Sequence, residues 1–245
     1  MLALRSPVLR SALPAPIALA GDSLAHGEPV LVFDAADREG ETDLIFLSER
    51  ATPELVRLAR QDAGGLMCTA ISEELRARLR LPYATDLLAA GEERYPLLAS
   101  LRRVQLRYDA RSSFGITVNH RATFTGVPDN DRALTIRSVG ELARDAATLS
   151  DGALAARFVA EFASPGHVPL LYAAPGLVAE RKGHTELAIS LARMTGLSES
   201  VTVCEMLGDS GGARSIDAAR RYADRHGWVF LEGRAIAEAW RSWSG

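Results

Sequence analysis

The chain has 245 residues, 47% hydrophobic and 24% charged, and its 28 Lys and Arg against 31 Asp and Glu give a formal net charge of −3. This is a globular composition, long enough to build a core without disulfides or a structural metal, and the slight negative balance argues against partners such as nucleic acid or a membrane surface. The only two cysteines, Cys68 and Cys204, stand far apart and outside any Cys-x-x-Cys spacing, which argues against a disulfide framework or a thiolate zinc site and suits a reducing cytoplasm.

Residues 1–24 carry Arg5 and Arg10 ahead of a mildly apolar stretch, Ser11 to Ala20. Pro14 and Pro16 interrupt it and Asp22 closes it, so no export signal is expected. No apolar run reaches the ~18 residues of a membrane span.

Short apolar β-type runs then alternate with helical patterns, without a repeat or a long linker, which implies one α/β or α+β domain. Strands are predicted over Pro29–Asp34, Thr42–Ser48, Leu66–Ile71, Phe114–His120, Pro169–Ala174, Val201–Leu207 and Trp228–Glu232. In Phe114–His120 the apolar residues Phe114, Ile116 and Val118 recur with the period of a half-buried strand. Thr52 and Pro53 read as the start of a helix with Leu55, Leu58 and Ala59 on one face and Gly64-Gly65 as its stop. Ser72 caps a helix from Glu73 to Arg80, and Pro82 ends it. Residues 84–112 are ambiguous, with helical patches around Tyr95 to Arg103. Asp151 to Ala163 reads as helix through Leu154, Phe158 and Phe162, and Ser215 caps a last helix that runs to His226 and stops at Gly227.

Five connections carry polar chemistry. Asp34 to Asp43 holds five carboxylates around Arg38 with a flexible Gly40, a loop suited to a divalent cation and a polar substrate. In Glu180 to Glu186, glycine and a hydroxyl residue open a helix next to Arg181 and Lys182, so free backbone N–H groups and positive charge make a phosphate seat, with His184 placed to ligate a nearby metal. Ser164-Pro165-Gly166-His167 reads as a turn that presents His167 at the edge of the following strand. Cys204-Glu205-Met206 puts a glutamate in an apolar strand, where it either faces solvent or is buried with a raised pKa useful in proton transfer. Thr123 to Arg132 is a turn-rich loop with groups for phosphate or sugar hydroxyls.

Their order along the chain resembles the 3,4-dihydroxy-2-butanone 4-phosphate synthase family, in its archaeal monofunctional form. The resemblance is carried by Asp37-Arg-Glu-Gly-Glu-Thr-Asp43, Asp62-Ala-Gly-Gly-Leu-Met-Cys-Thr69, Phe124-Thr-Gly126 with Asp129-Asn-Asp-Arg132, Ser164-Pro-Gly-His167, Gly183-His-Thr-Glu186 and Cys204-Glu-Met206, and it covers roughly residues 26–240. It implies an α+β domain over 25–243 behind an N-terminal extension of 1–24, with a mixed β-sheet flanked by helices in three layers. The implied activity is a lyase of riboflavin biosynthesis that converts ribulose 5-phosphate to 3,4-dihydroxy-2-butanone 4-phosphate and formate in the cytoplasm. It implies two magnesium ions per site held through Glu39 and His184, a histidine ligand leaving room for manganese. Substrate contacts fall to Arg38, Glu39, Asp43, Thr125, Arg181, Lys182, Gly183, His184, Thr185 and Glu205. Catalytic roles fall to Glu205, His167, Glu41 and Cys68. Family members are homodimers with sites at the subunit interface, so the clusters need not converge within one chain. Two rival readings remain, Lys182 as a Schiff-base nucleophile and a non-catalytic sugar-phosphate binder. The lack of an apolar run around Lys182 opposes the first, and the full set of ligand and acid/base matches opposes the second.

Overall fold

The computed structural model describes residues 13–101, 109 and 111–243. In chain order the described elements are α1 (Ala15–Ala25), β1 (Val30–Phe33), β2 (Thr42–Leu47), α2 (Pro53–Asp62), β3 (Cys68–Ile71), α3 (Glu73–Leu79), α4 (Ala84–Gly91), α5 (Leu97–Leu101), β4 (Phe114–His120), α6 (Asp129–Asp145), α7 (Asp151–Glu161), β5 (Phe162–Tyr172), α8 (His184–Met194), β6 (Ser200–Glu205), α9 (Ile216–His226), β7 (Val229–Glu232) and α10 (Gly233–Trp243).

The strands make one mixed sheet in the order β4-β5-β3-β6-β2-β1-β7. β1/β7 and β3/β5 are parallel; the other neighbours are antiparallel. Every residue of β2 is buried, as expected of a central strand with both faces covered. Its alternate residues divide the core. Ile45 and Leu47 join Ile17, Leu24, Leu191 and Trp240 from α1, α8 and α10, whereas Leu44 and Phe46 join Val56, Ile136 and Tyr222 from α2, α6 and α9. A third cluster, including Leu75, Leu142, Leu154 and Tyr172, packs α3, α6 and α7 against the β4–β5 end. Complete burial of a side chain such as Phe46 contributes about 1.5–3 kcal/mol, so the two-faced packing of β2 fixes its register firmly. The result is the three-layered α+β domain that the motifs implied.

Local signals explain most helix starts. Thr52 Oγ1 accepts from the N–H of Leu55 at 3.3 Å, and Ser72 and Ser215 accept from Leu75 and Ala218 at 3.4 Å. Gly227 ends α9 with φ +68°, the left-handed cap that glycine adopts without strain.

Three regions depart from the sequence reading, and a fourth is unassigned in it. Pro14 and Pro16, read there as interrupting an apolar stretch, start α1, because the first turn of a helix needs no N–H from them; α1 buries Ile17, Ala20 and Leu24. Asp129 to Arg132 is not a loop but the first turn of α6, where Asp129 and Asp131 complement the positive end of the helix. The helix expected to reach Ala163 ends at Glu161, and Phe162 opens β5. Ser164–His167 lies within β5, yet it behaves as a turn: Val118 pairs with Val168 and the adjacent Asn119 with Ala163, so four residues are looped out of the ladder. Within 84–112, α4 and α5 account for the helical character, and Arg102 and Arg103 of the patch lie outside the described residues.

Candidate active site

The acidic turn joins β1 to β2, adjacent strands on the β7 side of the sheet. The side chain of Asp34 is fully buried. Its Oδ1 accepts from the N–H of Glu41 at 3.0 Å, and its Oδ2 accepts from the N–H of Glu39 at 3.0 Å and from Arg38 Nη1 at 3.2 Å. Gly40 takes φ +70° and donates to the Ala35 carbonyl, which closes the turn. One carboxylate thus organises the loop from inside and leaves Glu39 facing α8.

Gly183 is the N-cap of α8 and His184 its first residue. His184 Nδ1 lies 3.3 Å from Glu39 Oε2; Nε2 lies 3.2 Å from the Glu41 carbonyl oxygen and 3.5 Å from Asp43 Oδ1. Asp43 is buried, pairs across β2/β6 with Glu205, and its Oδ1 has no hydrogen-bond partner among the described residues. Burial opposes charge on the imidazole, but Asp43, Glu39 and Asp34 outweigh it and raise His184 to about 9. Burial also works against ionised Glu39, and there His184 and Arg38 prevail and hold it at about 2. Asp43 is pushed up to about 7 by burial and by Glu205, Glu39 and Glu41, against the pull of His184. Among the described residues, Asp34, Glu39 and His184 bring ligand atoms within 4.8 Å of one another. A histidine with carboxylates at this spacing suits a divalent cation, and the anionic surroundings that hold a proton on the ring are those that draw such an ion.

A cleft of about 250 Å³ opens beside this group, lined among others by Arg38, Glu39, Asp43, Cys68, Arg181, His184, Thr185 and Glu205. Glu205 is the last residue of β6 and is exposed, which settles the alternative left open by its sequence position. Burial, then Glu205 and Glu39, raise the Glu41 carboxyl above its ordinary value. Cys68 is buried, and burial with the nearby Asp43 pushes its thiol up to about 12, so it stays protonated and is no thiolate nucleophile at neutral pH. Lys182 is exposed and lacks the apolar enclosure that an imine-forming lysine needs.

His167 and Thr125 do not line this cleft. Both are exposed. The backbone N–H of His167 donates to Asn119 Oδ1 at 2.8 Å, and its Nδ1 lies 3.0 Å from Asn119 Nδ2. The Thr125 loop is tied down by Asp131, which accepts from the N–H groups of Thr125 and Gly126.

The sequence reading gave no separate role to three groups. Asp34 braces the acidic turn; its only signal was its place at the mouth of the turn. Glu186 is buried, accepting from the Ala174 N–H at 2.9 Å and Arg181 Nη1 at 2.5 Å. Asp109 accepts from Arg38 and Arg181 at once, and nothing in the ambiguous stretch 84–112 marked it.

Residues 19–239 match the family model described as 3,4-dihydroxy-2-butanone 4-phosphate synthase. The chain belongs to this synthase family. It is 46% identical over 219 residues to the synthase of Methanothermobacter thermautotrophicus, covering 89% of this chain and 93% of that one. Among solved structures, the synthase of Candida albicans superposes with a TM-score of 0.67 at 28% identity, covering 92% of this chain and 97% of that one. A synthase structure in complex with two magnesium ions shares the fold, with a TM-score of 0.65 at 24% identity over 89% of this chain and 92% of that one.

Proposed function

We propose that the chain converts D-ribulose 5-phosphate to L-3,4-dihydroxy-2-butanone 4-phosphate and formate, with magnesium held through Glu39 and His184. The observation that carries this reading is the approach of Glu39 and His184 to 3.3 Å across a cleft that also holds Arg38, Asp43, Cys68 and Glu205. The donor set fits a hard divalent cation, which Glu39 and His184 would hold, and the synthase solved with two magnesium ions supports metal use at such a site. When bound, the metal supplies positive charge that stabilises the enediolate of the substrate.

The residues divide the remaining work. Arg181, Lys182 and the free N–H groups of the Gly183-His184-Thr185 turn hold the phosphate. Arg38, which shares Asp109 with Arg181, contacts the substrate beside the phosphate, and Asp43 orients the sugar hydroxyls. A carboxylate of the cleft, with Glu205 the best placed because it projects from the strand end, takes the C3 proton. Loss of the C1 hydroxyl as water, migration of the phosphate-bearing carbon to C3, and hydrolytic release of C4 as formate then follow. The water lost equals the water taken up, so the carbon skeleton is divided without a redox partner. Cys68 on the cleft wall serves proton transfer as a neutral donor, and Glu41 serves it from the acidic turn beside the cleft.

His167 and Thr125 reach such a site from the partner subunit of a homodimer. Exposed apolar residues support that assembly: Phe124 is 97% exposed and Leu66, at the cleft mouth, 59%. The start of α6, which follows the Thr125 loop, is tied to α2 by Arg60–Asp129 at 2.8 Å and to the turn before Leu66 by Arg132 and the Gly65 carbonyl.

The test is formate release from ribulose 5-phosphate with magnesium, with and without a chelator. Formate that requires metal, and that Glu39→Gln and His184→Ala each abolish, is the expected result. No formate from a folded protein, or release indifferent to chelator and to both substitutions, would overturn the reading.

A further inference from the structure

Asp109 lies between α5 and β4, with its side chain 7% exposed. Its Oδ2 accepts from Arg38 Nη2 at 2.7 Å and from Arg181 Nη2 at 2.5 Å. One oxygen therefore joins a guanidinium of the acidic turn to a guanidinium of the turn ahead of α8. Both arginines already have carboxylates of their own: Arg38 pairs with Asp34 and Glu39, and Arg181 with Glu186. Asp109 is thus an extra anion placed where two forked donors converge, the bridging geometry in which arginines take a phosphate oxygen. The Nε of Arg181 is buried without a hydrogen-bond partner among the described residues, so its carboxylates do not exhaust that group's donors.

Asp34, Glu39, Glu186 and Asp109 crowd four carboxyl groups around two guanidinium groups, so an incoming dianion finds both arginines already partnered. It gains the two arginines only if Asp109 releases them. Between visits of a ligand the same carboxylate keeps the arginines paired and spares them the cost of buried, uncompensated charge.

We propose that Asp109 is a built-in counter-anion of the phosphate seat: its Oδ2 holds the place of a substrate phosphate oxygen between Arg38 and Arg181, and a bound phosphate displaces it. This rests on the reading of the Arg181–Thr185 turn as that seat. The consequence is specificity. A neutral sugar cannot outcompete a carboxylate for two guanidinium groups, whereas a dianionic phosphate can, so Asp109 sets a threshold that only the phosphorylated ligand passes.

Calorimetric titration with inorganic phosphate tests this on the intact protein and on Asp109→Asn, Asp109→Glu and Arg181→Gln. Wild type is expected to bind phosphate weakly and Arg181→Gln more weakly still. Asp109→Asn should bind about tenfold more tightly, since one charge a few ångströms from the anion has been removed in partly screened surroundings. Asp109→Glu, which keeps the carboxylate, should stay close to wild type. Should Asp109→Asn fail to fold, Asp109→Ser carries the same expectation. Kinetics add a second readout: KM for ribulose 5-phosphate falls in Asp109→Asn without a rise in kcat, as a ground-state effect requires. If phosphate binding depends on Arg181 but Asp109→Asn does not tighten it, Asp109 is a brace that shapes the seat and the counter-anion is refuted while the seat survives. If phosphate binding is absent or indifferent to Arg181, the seat and the inference fall together.

Discussion

Asp34→Asn perturbs the organisation of the acidic turn while leaving the Glu39 and His184 side chains themselves unchanged. The carboxylate accepts three hydrogen bonds, two from backbone N–H groups and one from Arg38. An amide has one oxygen, so either Glu41 or the pair Glu39 and Arg38 must face the new NH2 group, donor against donor. The milder orientation sacrifices the Glu41 contact and weakens the other two. At about 1.5–3 kcal/mol for each charge-assisted bond, the closed turn loses about 3 kcal/mol, or roughly a hundredfold in population. The β1–β2 pairing lies outside this network, so the fold should persist. The measurement is the magnesium concentration that half-saturates formate release, alongside a thermal melt. The expected result is a requirement raised about a hundredfold, in the range seen when partners of metal ligands are removed, with much of the turnover recovered at saturating metal. A magnesium requirement within twofold of wild type in a folded Asp34→Asn protein would refute the claim that this carboxylate holds Glu39 in place.

Three further predictions concern other parts of the molecule. Gly140 lies inside α6, where helix propensity favours alanine by about 1 kcal/mol, but a Cβ there would sit 2.1 Å from the Glu49 nitrogen and 2.6 Å from the Ser48 carbonyl carbon; Gly140→Ala should therefore lower stability by about 1–3 kcal/mol in a denaturant melt, and a stabilised variant would contradict the packing of α6 on that turn. Burial pushes the thiols of Cys68 and Cys204 up to about 12 and about 11, so both remain protonated as pH rises through 8, with a thiolate fraction of about one in 10⁴ for Cys68; iodoacetamide at pH 8 should leave the native protein unlabelled and mark two sites after unfolding, and rapid native labelling of either would oppose this. In a dimer whose subunits exchange His167 and Thr125, mixing inactive Glu39→Gln with inactive His167→Ala should restore about a quarter of wild-type formate release, because half the dimers then carry one intact site of two; no recovery after verified subunit exchange would place the whole site within one chain.

The legible part of the fold was the part specified locally. Phe114–His120 announces itself by strict alternation, and the start of α9 by a serine cap with a glycine stop at its far end, because those signals act within a few residues. α1 was not legible because what Pro14 and Pro16 mean depends on where a helix begins, and burial of Ile17 and Leu24 against the sheet decides that from afar. Asp129 to Arg132 has turn composition and helix-start composition at once, and only the packing of α6 on the sheet selects the second. The site divides in the same way. Glu39 and His184 stood out because their chemistry is unusual in those settings, and the structure brings them to 3.3 Å. Asp109 gave no signal, since its role comes from two arginines that lie 71 and 72 residues away along the chain.

The parallel contact between β1 and β7 joins Val30 to Val229. Of the described strands, the earliest in the chain thus waits 229 − 30 = 199 residues for one of its two neighbours. At about 5–20 residues per second, that edge stays open for about 10–40 s on the nascent chain. An N-terminal fragment that stops short of Val229 leaves one side of Val30–Phe33 without a backbone partner, so truncation from the far end exposes a template for self-association next to the acidic turn.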